Sequence, residues 1–282
     1  MGSREWYSEM MAEHGESPTE FMTHHLSHQQ VVFGHWTWNV DTLLMSVLLA
    51  AVLAVLFWVA ARRARADRAP TGITLFAEFI YDWVDGQVAE GYRGGRRFMN
   101  SLSLALFVWV VAMNAMDLLP ANLPAGLASL AGAHFWHVLP TADVNDTFAM
   151  AIVVALITII AGVRAKGVGG FLEEWIVAPL GKNPVLWLPN IVLNLLELIS
   201  RPVSLALRLF GNMFAGELLF LLIALFTLNA ASVSGETVLL FVVQVLLGIA
   251  WSIFDVLIVL LQAYIFMLLP IVYIAMAEEH HG

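Results

Sequence analysis

RPVSLALRLFGNMFAGE, Arg201 to Glu217, decides how this chain is read. Leu205, Leu207, Leu209, Phe210, Met213 and Phe214 surround Arg208, and Leu218 to Phe226 continue without a charge. An arginine there stays protonated, because its pKa exceeds about 12. Holding it in a bilayer costs from about 3 to about 17 kcal/mol, depending on how the cost is measured, so such a cation faces a polar pathway and has a functional role.

Working outward, the chain has 282 residues, of which 60% are hydrophobic and 12% charged, with a mean hydropathy of +0.80. A soluble domain carries about twice that charge fraction. Several apolar runs reach the roughly 20 residues that a membrane helix needs. The expected class is therefore an all-α polytopic membrane protein, with about five membrane helices and one interfacial amphipathic helix. There are no cysteines, which excludes disulfides, thiolate metal sites and cysteine nucleophiles. The start of the chain is polar and acidic, unlike a signal peptide, so the spans are expected to remain in the mature protein.

Residues 1–40 are expected to form a polar segment with an amphipathic surface helix, since Glu5, Glu9, Glu13, Glu16 and Glu20 share one helical face. His24, His25 and His28 follow, and no carboxylate or cysteine completes a metal set with them. From residue 41 to 282 the expectation is a single helical membrane domain. Its spans are placed at about 42–61, 101–119, 147–163, 187–228 and 237–277, with an interfacial helix at about 71–92.

Basic residues set the orientation. Of 13 Lys and Arg, seven lie in 62–97 and three in 164–182, while 120–146 and 229–237 have none. The positive-inside rule then puts the first two regions in the cytoplasm, and the N-terminus and the 120–146 loop on the opposite side. The last two runs are about 40 residues each, or about 60 Å of helix against a hydrocarbon layer of about 30 Å. Either each hides a turn or each is one strongly tilted helix; the expectation is a tilted hairpin.

On the first of these helices Asn194, Glu197, Arg201, Ser204, Arg208 and Asn212 fall within about 80° of one another, whereas Glu217 points to the opposite side from Arg208. On the second, Gln244, Asp255, Gln262 and Tyr273 share a face. Polar groups in membrane helices also serve as interhelical glue, worth about 0.6 kcal/mol each. That reading competes for Asn194, Ser204 and Gln244, and much less for Arg208, Glu217 and Asp255, because charge costs far more to bury than an amide. Arg201 has a further alternative, near an interface with its head group in water. Carboxylates and amides in lines around one permanent cation suit ion conduction. At about 4 Å and an effective dielectric near 20 the cation and a carboxylate interact by about 4 kcal/mol, enough to drive a proton off a passing carboxylic acid.

Arg201–Glu217 and LQAYIFMLLPIVYIAMAEE (Leu261–Glu279) resemble subunit a of the bacterial F-type ATP synthases. NAMDLLP (Asn114–Pro120), TADVN (Thr141–Asn145), KGVGGF (Lys166–Phe171) and HHL (His24–Leu26) resemble the same family in the same order. The resemblance implies a multi-pass stator subunit of the bacterial inner membrane, with its N-terminus periplasmic and its C-terminus cytoplasmic. It implies two tilted helices against a rotating ring of c subunits, with the b-subunit peripheral stalk and the rest of the ATP synthase as further partners. It implies no cofactor, metal, nucleic acid or directly bound nucleotide. Arg208 corresponds to the arginine that separates two offset half-channels and forces ring carboxylates to deprotonate. The resemblance assigns Gln262 and Asn212 beside it, Glu217 to the inlet, and Asn114, Asp117, Asp143 and Asn145 to the periplasmic mouth. Glu197, Arg201 and Ser204 are expected on the cytoplasmic side. The departure is Asp255, where some relatives carry a histidine paired with the inlet glutamate; two inlet carboxylates sharing a proton are then expected. The competing classes are a secondary anion transporter using Arg208, which would show paired halves with broken helices, and an intramembrane hydrolase, which would need a nucleophile–base pair or a metal motif. No internal repeat and no such motif occurs in the spans.

Overall fold

The computed structural model describes residues 30–33, 36–65, 67, 69–118, 139–181, 183–228 and 235–279. The acidic stretch Glu5–Glu20 and the histidines at 24, 25 and 28 lie outside the described residues. The chain divides into two compact units, Met1–Met45 with Pro120–Val138, and Ser46–Leu119 with Leu139–Gly282.

In the first unit, residues 30–39 form an antiparallel pair of strands, β1 (Gln30–Phe33) and β2 (Trp36–Asn39), with Val31 opposite Trp38 and Val32 opposite Thr37. Sequence reading placed these residues in a polar segment and expected no strand. The β-branched and aromatic side chains of VVF and WTW favour extended backbone over helix. The amphipathic helix expected in 1–40 lies outside the described residues.

Six α-helices follow among the described residues: α1 (Val40–Arg63), α2 (Ile73–Gly91), α3 (Arg96–Ala115), α4 (Val144–Val177), α5 (Trp187–Leu228) and α6 (Gly235–Glu279). All but α2 are long and apolar enough to cross a membrane. The protein is an all-α polytopic membrane protein, with no sheet beyond the β1–β2 pair among the described residues. α1 ends in Arg62 and Arg63, which complement the negative end of the helix dipole; Arg62 also stacks 4.1 Å from the Trp58 ring centre.

In the second unit the core lies where α3, α4, α5 and α6 meet. α3 presents Met99, Asn100, Ser103, Leu106, Val110, Met113 and Asn114 as its buried face, in steps of three or four with an adjacent pair at each end. Leu106, Val110 and Met113 pack with Met150, Ala151 and Val154 of α4, Leu205, Ala206 and Leu209 of α5, and Ala263 and Phe266 of α6. α2 lies against α3 and α6 through Val84 and Val88, which meet Met99, Met267 and Ile271. Polar contacts reinforce it: Asn100 donates to Asp85, and the Tyr264 hydroxyl donates to Gln87 Oε1 at 3.0 Å.

α4 runs 34 residues, well past the 147–163 expected of its span. Gly167 breaks it with φ 69°, a left-handed conformation that favours glycine, and helix resumes beyond it. Lys166 Nζ meets Glu174 at 2.6 Å across this break, with the lysine side chain 5% exposed. The segment after α4 is tied to α5 by two asparagines. Asn190, fully buried, accepts from the Leu180 N–H and donates to the Ile176 and Gly181 carbonyls. Asn194 donates to the carbonyls of Trp175 and Ala178. Asn190→Ala would strand three partly buried backbone groups and is expected to cost about 2 kcal/mol. Thermal unfolding in detergent should show it as a drop of about 4 °C or more.

α5 and α6 have 42 and 45 residues and continue through Pro202 and Pro270. At 1.5 Å per residue each exceeds about 60 Å. Neither hides a turn among the described residues.

Candidate functional site

Arg208 lies midway along α5. On one side of the helix Leu205, Ala206, Leu209 and Met213 are at most 4% exposed; on the other, Ser204, Leu207 and Arg208 are exposed. Small residues allow the two helices to approach closely here, since Ala206 and Ala263 are both fully buried. Gln262 of α6, also buried, donates through Nε2 to the main-chain carbonyl of Arg208 at 2.9 Å. The amide thus holds the backbone that carries the arginine, while the guanidinium remains on the outer surface.

Beyond Arg208, carboxyl groups from three elements come together. Asp117 sits in a 3₁₀ turn (Met116–Leu118) that closes α3 and touches both α5 and α6. A Cβ on Gly216 would lie 3.1 Å from Asp117 Oδ2, so glycine is what lets the carboxyl approach α5. Asp117 lies within electrostatic reach of Glu217 on α5 and Asp255 on α6. The 3₁₀ turn Pro140–Ala142 completes this region, with Ala142 packed on Met213 and Val259. Asp117 Oδ2, Glu217 Oε2, Asp255 Oδ2, Thr141 Oγ1 and both amide atoms of Asn114 are buried without a protein hydrogen-bond partner. Buried polar atoms of this kind are ordinarily satisfied by ordered water. Three carboxyls, a hydroxyl and an amide are thus buried together on this side of Arg208. Asp143 is buried beside it and caps α4, accepting from the Asn145 N–H at 2.8 Å; Asn145 itself is exposed.

Before Arg208 along α5 lies a second polar region. A cavity of about 340 Å³ between α4, α5 and α6 is lined by Lys166, Glu174, Asn194, Glu197, Arg201 and Tyr273, among others. Arg201 pairs with Glu197 one helical turn away and stacks 4.2 Å from the Tyr273 ring centre. Between the two regions stands the apolar layer of Leu205, Leu209, Ala263 and Phe266.

The residues singled out in the sequence therefore divide. Glu217, Asp255, Asp117 and Asn114 come together on one side, and Glu197 and Arg201 on the other. Arg208 and Gln262 lie between them, and Asn212, half-buried, is one turn from Arg208. The competing glue reading describes Asn194, whose amide is spent on backbone carbonyls. Sequence reading missed Thr141, Asp146 and the Lys166–Glu174 pair. Starting the third span at Thr147 left Asp146 in the loop; its place in the first turn of an apolar helix was the available signal. No group of three or more metal-ligating side chains occurs among the described residues.

Five apolar helices enclosing buried carboxyls, with an arginine on the face of a long helix, define a polytopic membrane protein with an ionisable interior. The family model described as ATP synthase A chain matches residues 43–275, and the chain belongs to that family. It is 41% identical over 266 residues to ATP synthase subunit a of Alkalilimnicola ehrlichii, covering 94% of this chain and 98% of that one. It is 41% identical over 273 residues to the Shewanella sp. (strain MR-4) protein of that name, covering 96% and 100%. The Halorhodospira halophila protein of that name is 38% identical over 282 residues, again covering 96% and 100%.

Proposed function

We propose that this chain is the stator subunit through which protons cross an F-type ATP synthase, turning a ring of c subunits and so driving ATP synthesis. The observation that carries this reading is the separation of two polar regions at the level of Arg208. The carboxyl pocket around Glu217 serves as the inlet, and the charged region around Glu197 and Arg201 leads to the outlet. In this reading each is a dead end, separated from the other by the apolar layer and by Gln262, whose amide is engaged by the Arg208 carbonyl. A proton crosses only by boarding a carrier at one and leaving at the other.

Arg208 supports the carrier being another protein. An exposed guanidinium in mid-span would cost several kcal/mol against lipid, so it requires a partner that brings carboxylates to it. A ring of c-type helices with one acidic residue each meets that need. Arg208 then attracts each ring carboxylate and releases its proton to the outlet, and its fixed charge stops protons from running straight through. Gln262 keeps the arginine's backbone in register and Asn212 flanks it. Ser204 continues the exposed face toward the outlet. Asn114, Asp143 and Asn145 shape the mouth of the inlet.

Seven basic residues in 62–97 and three in 164–182 support a cytoplasmic location for both segments, with the N-terminus periplasmic and the C-terminus cytoplasmic. The membrane is then the bacterial inner membrane. α5 and α6, each longer than the bilayer is thick, fit a tilted pair lying against the ring, and the b-type stalk would hold the whole chain still.

The test is ATP-driven acidification of inverted vesicles, with and without sodium, alongside copurification with a small two-helix c-type protein. Acidification that does not require sodium, together with copurification, is expected. Absence of both refutes the reading. Asp255→Asn tests proton sharing in the inlet: pumping should fall about ten-fold and its pH profile should change, whereas an unchanged profile rejects the sharing.

A further inference from the structure

Asp146 stands in the first turn of α4, inside an apolar helix. The Ser46 hydroxyl of α1 hydrogen-bonds both of its carboxylate oxygens at 3.3 Å. Ser46 is 6% exposed and Asp146 is half-buried. Asp146 is three residues past Asp143, on the same side of α4, and the two interact electrostatically. Asp143 in turn is two residues from Thr141, whose buried hydroxyl has no protein partner. Ser46, Asp146, Asp143 and Thr141 thus lie within one short stretch of the fold, and the turn that carries Thr141 packs on α3 and α5 beside Asn114, Asp117, Glu217 and Asp255.

We infer that Asp146, held by Ser46, is a proton-accepting station that feeds the inlet by way of Asp143. The inference rests on the reading of the Glu217 pocket as a proton inlet. The chemistry suits the position. A carboxylate accepts a proton from water and passes it on without any covalent change, and a serine hydroxyl both donates and accepts, so it keeps the carboxylate oriented in either protonation state. The Ser46 hydroxyl fixes the carboxyl's position, and Asp143 lies three residues away along the chain. A purely structural role, tethering α1 to α4, would need only a hydrogen bond.

That difference is the basis of the test. Asp146→Asn keeps the shape and an oxygen acceptor for Ser46 but cannot carry a proton; Asp146→Glu keeps the carboxyl; Ser46→Ala removes the hydroxyl. Each is measured in the whole ATP synthase in inverted vesicles, as ATP synthesis and ATP-driven acidification per assembled complex, across external pH. A tether is indifferent to Asp146→Asn; a relay loses about ten-fold or more of its rate. The expected result is slowing by Asp146→Asn with an altered pH profile, substantial recovery in Asp146→Glu, and a smaller loss in Ser46→Ala. Wild-type rates in Asp146→Asn, or equal loss in Asp146→Asn and Asp146→Glu, overturn the inference. Glu217→Gln, run in parallel, separates the two levels: inactive Glu217→Gln with normal Asp146→Asn rejects only this station, whereas active Glu217→Gln rejects the inlet on which it rests.

Discussion

Arg208→Lys is expected to abolish ATP synthesis although it keeps a positive charge, and Arg208→Ala to abolish coupled proton transport and open a passive leak. Lysine presents a point charge on a flexible stem, lacks the planar fork, and can release its proton. Arginine cannot do so, and a residue that never deprotonates is what keeps two proton paths apart. The electrostatic worth of the pair, about 4 kcal/mol at 4 Å in a medium of effective dielectric near 20, corresponds to roughly a thousand-fold in rate. Misfolding is not the expected cause. Gln262 grips the carbonyl of residue 208, which every amino acid supplies, and the buried neighbours Leu205, Leu209 and Met213 are unchanged. Both variants should therefore assemble at normal levels. The measurement is ATP-driven acidification and passive proton flux in inverted vesicles, and wild-type pumping by Arg208→Ala would refute the assigned role.

Glu217→Gln carries the next largest expected effect, a loss of about a hundred-fold in ATP-driven pumping. The substitution preserves volume and leaves an amide where Glu217 Oε2 is buried without a protein partner, so stability should change little. What is removed is the capacity to take up and release a proton beside Asp117 and Asp255. Glu217→Asp keeps that capacity on a shorter stem and should retain part of the activity. Equal losses in Gln and Asp variants would instead point to a packing role against Gly216 and the 3₁₀ turn at Asp117. Pumping measured per assembled complex, with membrane content checked by immunoblot, decides between them.

Particular residues show how far the sequence could be read. The class and the presence of five long apolar helices followed from apolar runs alone, because a bilayer demands about 20 uninterrupted apolar residues and sets that pattern one segment at a time. Arg208 stood out for the same reason, since a permanent charge inside such a run conflicts with its local surroundings. The break at Gly167 was less legible. Helix resumes on its far side, and a glycine in a loop looks the same in sequence as a glycine in a kink. The strands at 30–39 were missed because a polar, acidic segment suggested a helix and outweighed two short β-branched and aromatic stretches.

Helical periodicity along one segment established by itself that Arg208 shares a face with Ser204 and that Asp255 shares one with Gln262. It had no means to show that the glutamine holds the arginine's carbonyl, that Gly216 lets Asp117 approach Glu217, or that Asn194 is spent on α4. Those contacts join residues from about 16 to more than 50 positions apart. They exist only once helices pack, because a helix fixes which side chains point together along its own axis and leaves open which neighbour they meet.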